Sequence, residues 1–169
     1  KICREEYEKF NSTQKVCSTK CALELVKQNN DKAWRKEKKQ RKDKLKSKAD
    51  WLAEAQKVCN EYIRLRDKDE PCISCGTEKP DIQYCAGHYL TRGGHQKLRF
   101  NPFNINKQCN KHCNLMKSGN ISGYRPRLID KIGIEAVEWL EGYHAPQKLS
   151  IDDIKEIKQY YKDLIKEMK

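Results

Sequence analysis

Cys72-Ile-Ser-Cys75-Gly76 and Cys109-Asn-Lys-His-Cys113-Asn114 are two cysteine pairs with 33 residues between them. Two such pairs, the first closed by a turn glycine, are typical of a zinc site with four thiolate ligands. The second pair has three residues between its cysteines instead of the usual two, so His112 competes with Cys113 as a ligand. We favour Cys113, which leaves Asn114 directly after a ligand, and predict a structural zinc bound by Cys72, Cys75, Cys109 and Cys113.

One histidine and two asparagines accompany these pairs. His88 and Asn104 lie between the two pairs, and Asn114 follows the last cysteine. An imidazole with an ordinary pKa can accept a proton at neutral pH, so His88 is a candidate general base. A carboxamide oxygen, such as that of Asn114, suits a hard divalent cation.

The order of these residues resembles that of the HNH, or ββα-metal, endonucleases. Five segments are also similar to those of the phage lambda NinG (Rap) family: Pro71-Cys-Ile-Ser-Cys-Gly76, Ala86-Gly-His-Tyr89, Leu98-Arg-Phe-Asn101, Lys107-Gln-Cys109 and Lys117-Ser-Gly-Asn120. The resemblance covers most of the chain and is densest between Arg64 and Gly133. It implies a phage-encoded recombination endonuclease that cuts branched DNA, such as Holliday junctions and D-loops, in the cytoplasm of the bacterial host.

The resemblance also implies roles for individual residues. His88 would be the general base, Asn104 would hold the loop and orient the His88 ring, and Asn114 would bind a catalytic Mg²⁺ or Mn²⁺. HNH enzymes usually have Asp or His directly before the base, whereas this chain has Gly87. Another group must then complete the coordination, and His95, Cys85, or water and phosphate remain open.

A second metal site is predicted near the N-terminus. Cys3, Cys17 and Cys21 supply three thiolates, one short of a tetrahedral zinc site. We therefore expect the fourth ligand, another cysteine, upstream of Lys1, and the resemblance implies the same. The odd number of nine cysteines and the absence of a secretory segment favour thiolates that bind metal over disulfides.

Positive charge is concentrated in two parts of the chain. The formal net charge is +12, and residues 27–48 hold eleven Lys and Arg against three acidic residues. A phosphate backbone is the partner that such a distribution favours. The predicted DNA contacts are Arg35, Lys36, Lys38, Lys39, Arg41 and Lys42 on this segment, and Lys97, Arg99, Lys107, Lys111 and Lys117 around the predicted metal sites. No apolar run is long enough to span a membrane, so a soluble intracellular protein is expected.

The predicted fold class is α+β and mostly α: a small zinc-bound ββα-metal core flanked by helices, with an N-terminal zinc knuckle. We divide the chain into 1–26 (knuckle), 27–69 (basic arm and amphipathic helix), 70–122 (nuclease-like core) and 123–169 (helices for packing or dimerisation). The arm should be a solvated helix, or disordered in the absence of a partner. The next helix, up to about Asp67, buries Cys59 as a core residue.

Within the core, strands are predicted at 82–89 and 96–100, then a loop from Asn104 and a helix from about Cys113. Pro126 suits the first turn of the following helix. A helix over 134–143 comes next, and Ser150 to Asp153 resembles a capping box that starts the last helix.

Two other functions remain open. The chain can be a zinc-stabilised DNA-binding protein that has lost catalysis, as Gly87 suggests, or an HNH enzyme that cuts ordinary duplex DNA. For a junction-cutting enzyme we expect a homodimer with two-fold symmetry, because resolution needs two symmetry-related cuts.

Overall fold

The structure is a computed structural model that describes residues 2–3 and 6–168. Its regular elements are α1 (Thr19–Leu45), α2 (Lys48–Arg66), β1 (Tyr84–His88), β2 (Ile105–Cys109), α3 (Ile121–Ile132), α4 (Ile134–Glu141) and α5 (Ile151–Glu167). The chain divides into two compact units, Lys1–Ser47 and Lys48–Lys169. The prediction of an α-rich α+β fold is confirmed, while the division into four parts stays a prediction.

Helix α1 belongs to the first unit, and most of its residues are exposed. Its N-cap is Ser18, whose hydroxyl accepts a hydrogen bond from the backbone N–H of Cys21 at 3.3 Å. None of its side chains is buried. The predicted solvated helix is therefore confirmed, although it begins earlier, at Thr19, and ends at Leu45.

Helices α2 and α5 pack against each other in the second unit. Cys59 and Ile63 of α2 and Tyr161 of α5 are buried in one cluster with Ile105 of β2. This confirms Cys59 as a core residue. The predicted capping box is also present, since the Ser150 hydroxyl accepts from the Asp153 N–H and the Asp153 carboxylate accepts from the Ser150 N–H.

Strands β1 and β2 form an antiparallel pair in which His88 is opposite Ile105 and Tyr84 is opposite Cys109. The prediction of the second strand at 96–100 is wrong. That segment holds a 3₁₀ turn at Gln96–Leu98, with Leu98 buried, and a second 3₁₀ turn follows at Pro102–Asn104. The turn places the Leu98 side chain in the core.

The helices after β2 also differ from the prediction. A π-helical segment, Asn110–Leu115, begins directly after the strand. Ser118 and Asn120 then adopt left-handed backbone angles, with φ of 47° and 46°, and α3 begins at Ile121. Pro126 lies inside α3 rather than in its first turn. The helix therefore begins after Asn120, its left-handed N-cap residue, and not at Pro126 as predicted.

A buried carboxylate joins three elements of the second unit. Asp67, directly after α2, accepts two hydrogen bonds of 2.7 Å from Arg66, one of 2.9 Å from Lys131 of α3, and one of 3.1 Å from the N–H of Lys107 in β2. Burial opposes its ionisation, but the bonds from Arg66 and Lys131 hold the pKa of Asp67 below its ordinary value. Arg66 also donates to the carbonyl of Ile105 at 2.9 Å. The network therefore fixes where β2 begins.

Helices α3 and α4 close a second apolar cluster, which includes Tyr89, Tyr124, Leu128, Val137 and Leu140. Gly133, with φ of 85°, separates the two helices as predicted. None of the helices formed by the described residues has the length and apolar character needed to cross a membrane.

Candidate metal sites and the adjoining cleft

Four cysteines of the second unit meet at one point. The Sγ atoms of Cys72, Cys75, Cys109 and Cys113 all lie within 4.8 Å of one another. Cys75 and Cys109 are 3.6 Å apart, and Cys72 and Cys113 are 3.9 Å apart, measured between Sγ atoms. Tetrahedral zinc with Zn–S bonds of about 2.3 Å requires sulfurs about 3.8 Å apart. The predicted cluster can therefore bind zinc, and its fourth member is Cys113, while the His112 side chain is exposed.

Backbone donors prepare this cluster for a cation. Burial opposes ionisation of Cys72, but N–H groups of Cys109, Cys75 and Ser74 hold the pKa of its thiol below the ordinary value. The Cys109 N–H lies 3.3 Å from the Cys72 Sγ. Burial and the neighbouring thiols raise the pKa of Cys113 to about 12. A bound cation would favour the thiolate form of all four cysteines.

The first unit contains the other predicted cluster. Cys3 and Cys17 have Sγ atoms 3.2 Å apart, Cys17 and Cys21 are 3.4 Å apart, and all three are half-buried. Three convergent thiols can bind zinc if one further ligand joins them. The upstream fourth ligand stays a prediction.

A cavity of about 950 Å³ lies beside the sheet of the second unit, and we call it the cleft. It brings together His88 at the end of β1, Asn114 of the π-helical segment, and His95 and Arg99 of the segment between the strands. Arg92 also lines it. Sequence reasoning missed Arg92, although its position in the turn after β1 indicated that it would lie near His88.

The ring of His88 is fixed through one nitrogen. Its Nε2 lies 3.0 Å from the carbonyl oxygen of Arg99. A carbonyl only accepts hydrogen bonds, so Nε2 carries the proton and Nδ1 keeps its lone pair. Burial lowers the pKa of His88 to about 4; the Arg99 carbonyl opposes this shift, and the charges of Arg92 and Arg99 add to it. The ring is therefore neutral at physiological pH, in the form that a general base requires.

Asn104 holds the segment that contains this carbonyl. Its side chain is fully buried, its Oδ1 accepts from the Leu90 N–H at 2.8 Å, and its Nδ2 donates to the carbonyls of Leu90 and Leu98 at 3.0 and 3.1 Å. The hydrogen bonds described for the Asn104 side chain go to Leu90 and Leu98 of this segment and not to the His88 ring. Its role in orienting that ring stays a prediction.

The packing of Gln108 explains why residue 87 is a glycine and not the Asp or His that HNH enzymes usually have. A Cβ at residue 87 would lie 2.2 Å from Oε1 of Gln108. Gln108 is fully buried, and its Nε2 donates at 2.6 Å to both the Ser74 hydroxyl and the Gly119 carbonyl. The carboxamide of Gln108 therefore occupies the space next to residue 87.

Two residues predicted as metal ligands, His95 and Asn114, line the cleft. Nδ1 of His95 is buried and has no hydrogen-bond partner in the described structure. Binding of a divalent ion by either residue stays a prediction. Among the described residues that line the cleft, none is Asp or Glu.

The predicted phosphate contacts fall into different surroundings. Arg99 lines the cleft, and Lys97, Lys111 and Lys117 are exposed. Lys107 donates through Nζ to the Lys68 carbonyl at 2.8 Å and lies over the Tyr84 ring. In the first unit, the predicted basic residues of α1 are exposed: Arg35, Lys36, Lys38, Lys39, Arg41 and Lys42.

Comparison with known proteins gives a consistent result over the full length. The family model described as Bacteriophage Lambda NinG protein matches residues 1–169. The chain is 40% identical over 185 aligned positions to Protein ninG of Escherichia phage lambda, covering 99% of this chain and 90% of that protein. It is 38% identical to the Protein ninG of Escherichia phage 933W, covering 100% and 92%, and 38% identical to that of Salmonella phage P22, covering 99% and 90%. No solved structure matches the chain.

Proposed function

The chain belongs to the bacteriophage lambda NinG family, and from this premise and the cleft we propose that it is a divalent-metal-dependent endonuclease that cuts branched DNA. One observation supports this most directly. His88, neutral and with a free Nδ1, lies in the same cleft as Asn114 and the unpartnered Nδ1 of His95. Strands β1 and β2 pair, and the π-helical segment follows β2 directly; this order supports the proposal because it resembles that of a ββα-metal unit.

The residues of the cleft divide the work of phosphodiester hydrolysis. Nδ1 of His88 accepts a proton from water, and the resulting hydroxide attacks phosphorus. The bond to the 3′ oxygen breaks, and that oxygen takes up a proton from solvent. Asn114 and His95 would hold the divalent ion, which supplies Lewis-acid stabilisation of the leaving and non-bridging oxygens. Arg92 and Arg99 bind non-bridging oxygens of the phosphate.

Branched DNA is the proposed substrate because the candidate contacts are to phosphate. Lys and Arg that bind phosphate position a protein on DNA but do not distinguish bases, so recognition depends on the shape of the DNA. Resolution of a Holliday junction needs two cuts, and we propose a homodimer with two-fold symmetry. Sedimentation and junction cleavage are measured at the same protein concentration. The dimer is refuted if the protein sediments as a monomer and still cleaves the junction fully. The host cytoplasm, where phage DNA recombines, is the proposed site of action.

The experiment compares cleavage of an end-labelled four-way junction by wild type, His88→Ala and His144→Ala, with Mg²⁺ or Mn²⁺. His144 is a matched control because its Nε2 is also bound to a backbone carbonyl, that of Trp139 at 2.9 Å, and it does not line the cleft. We expect paired nicks near the crossover from wild type and His144→Ala, and binding without cutting from His88→Ala. Equal cutting by all three refutes the role of His88.

A second function has one observation in its favour. The absence of an acidic residue among the described cleft residues suits a junction-binding protein without catalysis. Binding by all three proteins without cleavage under any divalent ion supports that function instead. An equimolar linear duplex tests the remaining alternative, because an enzyme for ordinary duplex DNA is inhibited by this competitor whereas a junction enzyme is not.

A further inference from the structure

A buried glutamine of α2 contacts an arginine of the cleft. Gln56 is 4% exposed and is the only polar side chain among the buried residues of this helix. Its Oε1 accepts a hydrogen bond of 3.2 Å from Nε of Arg99, which lies 43 positions further along the chain. A buried carboxamide is costly unless its hydrogen bonds are made. The bond to Arg99 therefore helps to explain why a glutamine is tolerated on the buried face of α2.

The nitrogen of the same carboxamide is held as well. Nε2 of Gln56 donates at 2.9 Å to Oδ1 of Asn60, one turn later in α2, and Asn60 lines the cleft. A carboxamide nitrogen only donates and its oxygen only accepts. With the nitrogen directed to Asn60, the oxygen faces Arg99, where it accepts from Nε.

The guanidinium of Arg99 keeps its two terminal nitrogens for a ligand. Among the described residues, none accepts a hydrogen bond from Nη1 or Nη2, and none of the cleft residues is Asp or Glu. The guanidinium carbon lies 5.6 Å from the centroid of the Phe100 ring. Burial and the charge of Arg92 hold the pKa of Arg99 below its ordinary value. An anion that binds here would therefore stabilise a charge that the protein itself leaves unbalanced.

We propose that Gln56 is a positioning residue that orients the Arg99 guanidinium for phosphate, so that Nη1 and Nη2 face the DNA as a pair of donors. The inference rests on the part of the proposed function in which the cleft binds DNA. The donors of a guanidinium form a rigid fork, so a bond at Nε fixes the direction of the other two nitrogens. A side chain that is ordered before DNA binds also loses less entropy when it binds.

The test is a double-mutant cycle of Gln56→Met and Arg99→Ala, measured as affinity for a fluorescent four-way junction at several salt concentrations. The protein is zinc-loaded, and no Mg²⁺ or Mn²⁺ is added, so that the DNA stays intact. Methionine matches glutamine in length but lacks the carbonyl acceptor. Gln159→Met is the matched control, because Gln159 also bonds to a side chain one turn later, that of Asp163 at 2.9 Å, and is exposed on α5.

The two substitutions should weaken junction binding in different ways. We expect Arg99→Ala to lower the affinity about tenfold and to reduce the slope of log affinity against log salt by about 0.9, because one phosphate contact is lost. Gln56→Met should lower the affinity about threefold, the cost of ordering one side chain, and leave the slope unchanged because Arg99 keeps its charge. In the Arg99→Ala background, Gln56→Met should have no further effect. Gln159→Met should bind as the wild type does.

A measurement on the wild-type protein tests the same contact without a variant of Gln56. Nuclear magnetic resonance of protein with isotope-labelled arginine detects the Nε–H groups, and the signal of Arg99 is the one that Arg99→Lys removes. This Nε–H should exchange with solvent more slowly than that of Arg35, which is exposed on α1. Equal exchange rates contradict the hydrogen bond to Gln56 and overturn the inference.

The outcomes of the cycle separate the inference from the proposed function. If Gln56→Met weakens binding equally with and without Arg99, its effect does not pass through Arg99, and the inference is overturned while the nuclease stands. If Arg99→Ala leaves junction binding unchanged, the phosphate contact proposed for Arg99 is overturned together with the inference. Coupling between the two residues in a protein that cuts no junction with any divalent ion supports the inference and refutes the nuclease.

Discussion

Asn104→Ala tests whether one carboxamide holds the segment that orients His88. The substitution removes three hydrogen bonds, those to the Leu90 N–H, the Leu90 carbonyl and the Leu98 carbonyl. Each buried bond contributes about 1 kcal/mol, and a buried group left without a partner costs about 1–3 kcal/mol. Since Asn104 is fully buried, we expect the free energy of unfolding to fall by about 3–5 kcal/mol.

Asn101→Ala is the matched control. Its Oδ1 accepts a single exposed bond, from the Phe103 N–H at 2.9 Å, at the start of the Pro102–Asn104 turn. Loss of such a cap costs about 0.5–1 kcal/mol. The same residue type three positions away thus separates the three buried bonds from a general effect of losing a carboxamide.

The assay is urea unfolding of zinc-loaded protein followed by tryptophan fluorescence. A Trp34→Phe background removes the tryptophan of the first unit, so that Trp51 and Trp139 report only on the second. Equal urea dependence of the variants confirms that stability, and not the unfolded state, has changed. A difference of less than about 1 kcal/mol between Asn104→Ala and Asn101→Ala refutes the reasoning, because three buried bonds must then contribute no more than one exposed bond.

Three other predictions follow from the cleft and the cysteine cluster. Gly87→Ala should lose about 1–3 kcal/mol by overpacking against Gln108, and calorimetry should find the loss smaller when Gln108→Ala is also present; additive effects contradict the contact. The pKa of His88 is lowered from 6.5 to about 4 in the folded protein, so between pH 6.5 and 4 the unfolded chain binds more protons than the folded one. The contribution of His88 to the free energy of unfolding therefore falls as the pH drops from 6.5 to 4. The acid limb of kcat/KM for cleavage should likewise lie below about pH 5, and an acid limb at pH 6.5 contradicts a buried neutral base. Cys75→Ser should lower the zinc content by one ion per chain in elemental analysis and Cys85→Ser should not, since only Cys75 belongs to the cluster; equal losses refute the ligand set.

Features set by spacing could be predicted from the sequence. The two cysteine clusters, the capping box at Ser150 and the buried face of α2 depend on residue types at fixed intervals, and the structure contains all of them. His88 and Asn114 were predicted as parts of one site, with His95 and Cys85 among the open candidates for a further ligand, and all four line one cleft; their roles stay predictions.

Strand β2 could not be predicted in this way because two of its four buried residues are polar. Asn106 and Gln108 are buried, and their carboxamide nitrogens donate inside the fold, to the Tyr124 hydroxyl at 3.1 Å and the Ser74 hydroxyl at 2.6 Å respectively. Oε1 of Gln108 has no hydrogen-bond partner among the described residues. A hydrophobic pattern indicates burial only where the buried side chains are apolar. The Ile105–Cys109 segment therefore resembled a loop.

Contacts between residues far apart in the sequence could not be predicted either. Asp67 and Lys131 are 64 positions apart, and only the folded chain places their charges 2.9 Å from each other. The close approach of Gln108 to Gly87 could not be predicted either. The Gln108 side chain fills the space next to residue 87, and that space exists only where the two strands pair.

The four-cysteine cluster encloses the segment with most of the cleft residues. Cys72 and Cys109 are 37 positions apart, and His88, His95 and Asn104 all lie between them. Bringing the ends of a loop of this length together costs about 3 kcal/mol of chain entropy, by the logarithmic dependence on loop length. A zinc ion bound at both ends of this loop would offset this cost. Zinc supply would then set how many chains possess a cleft.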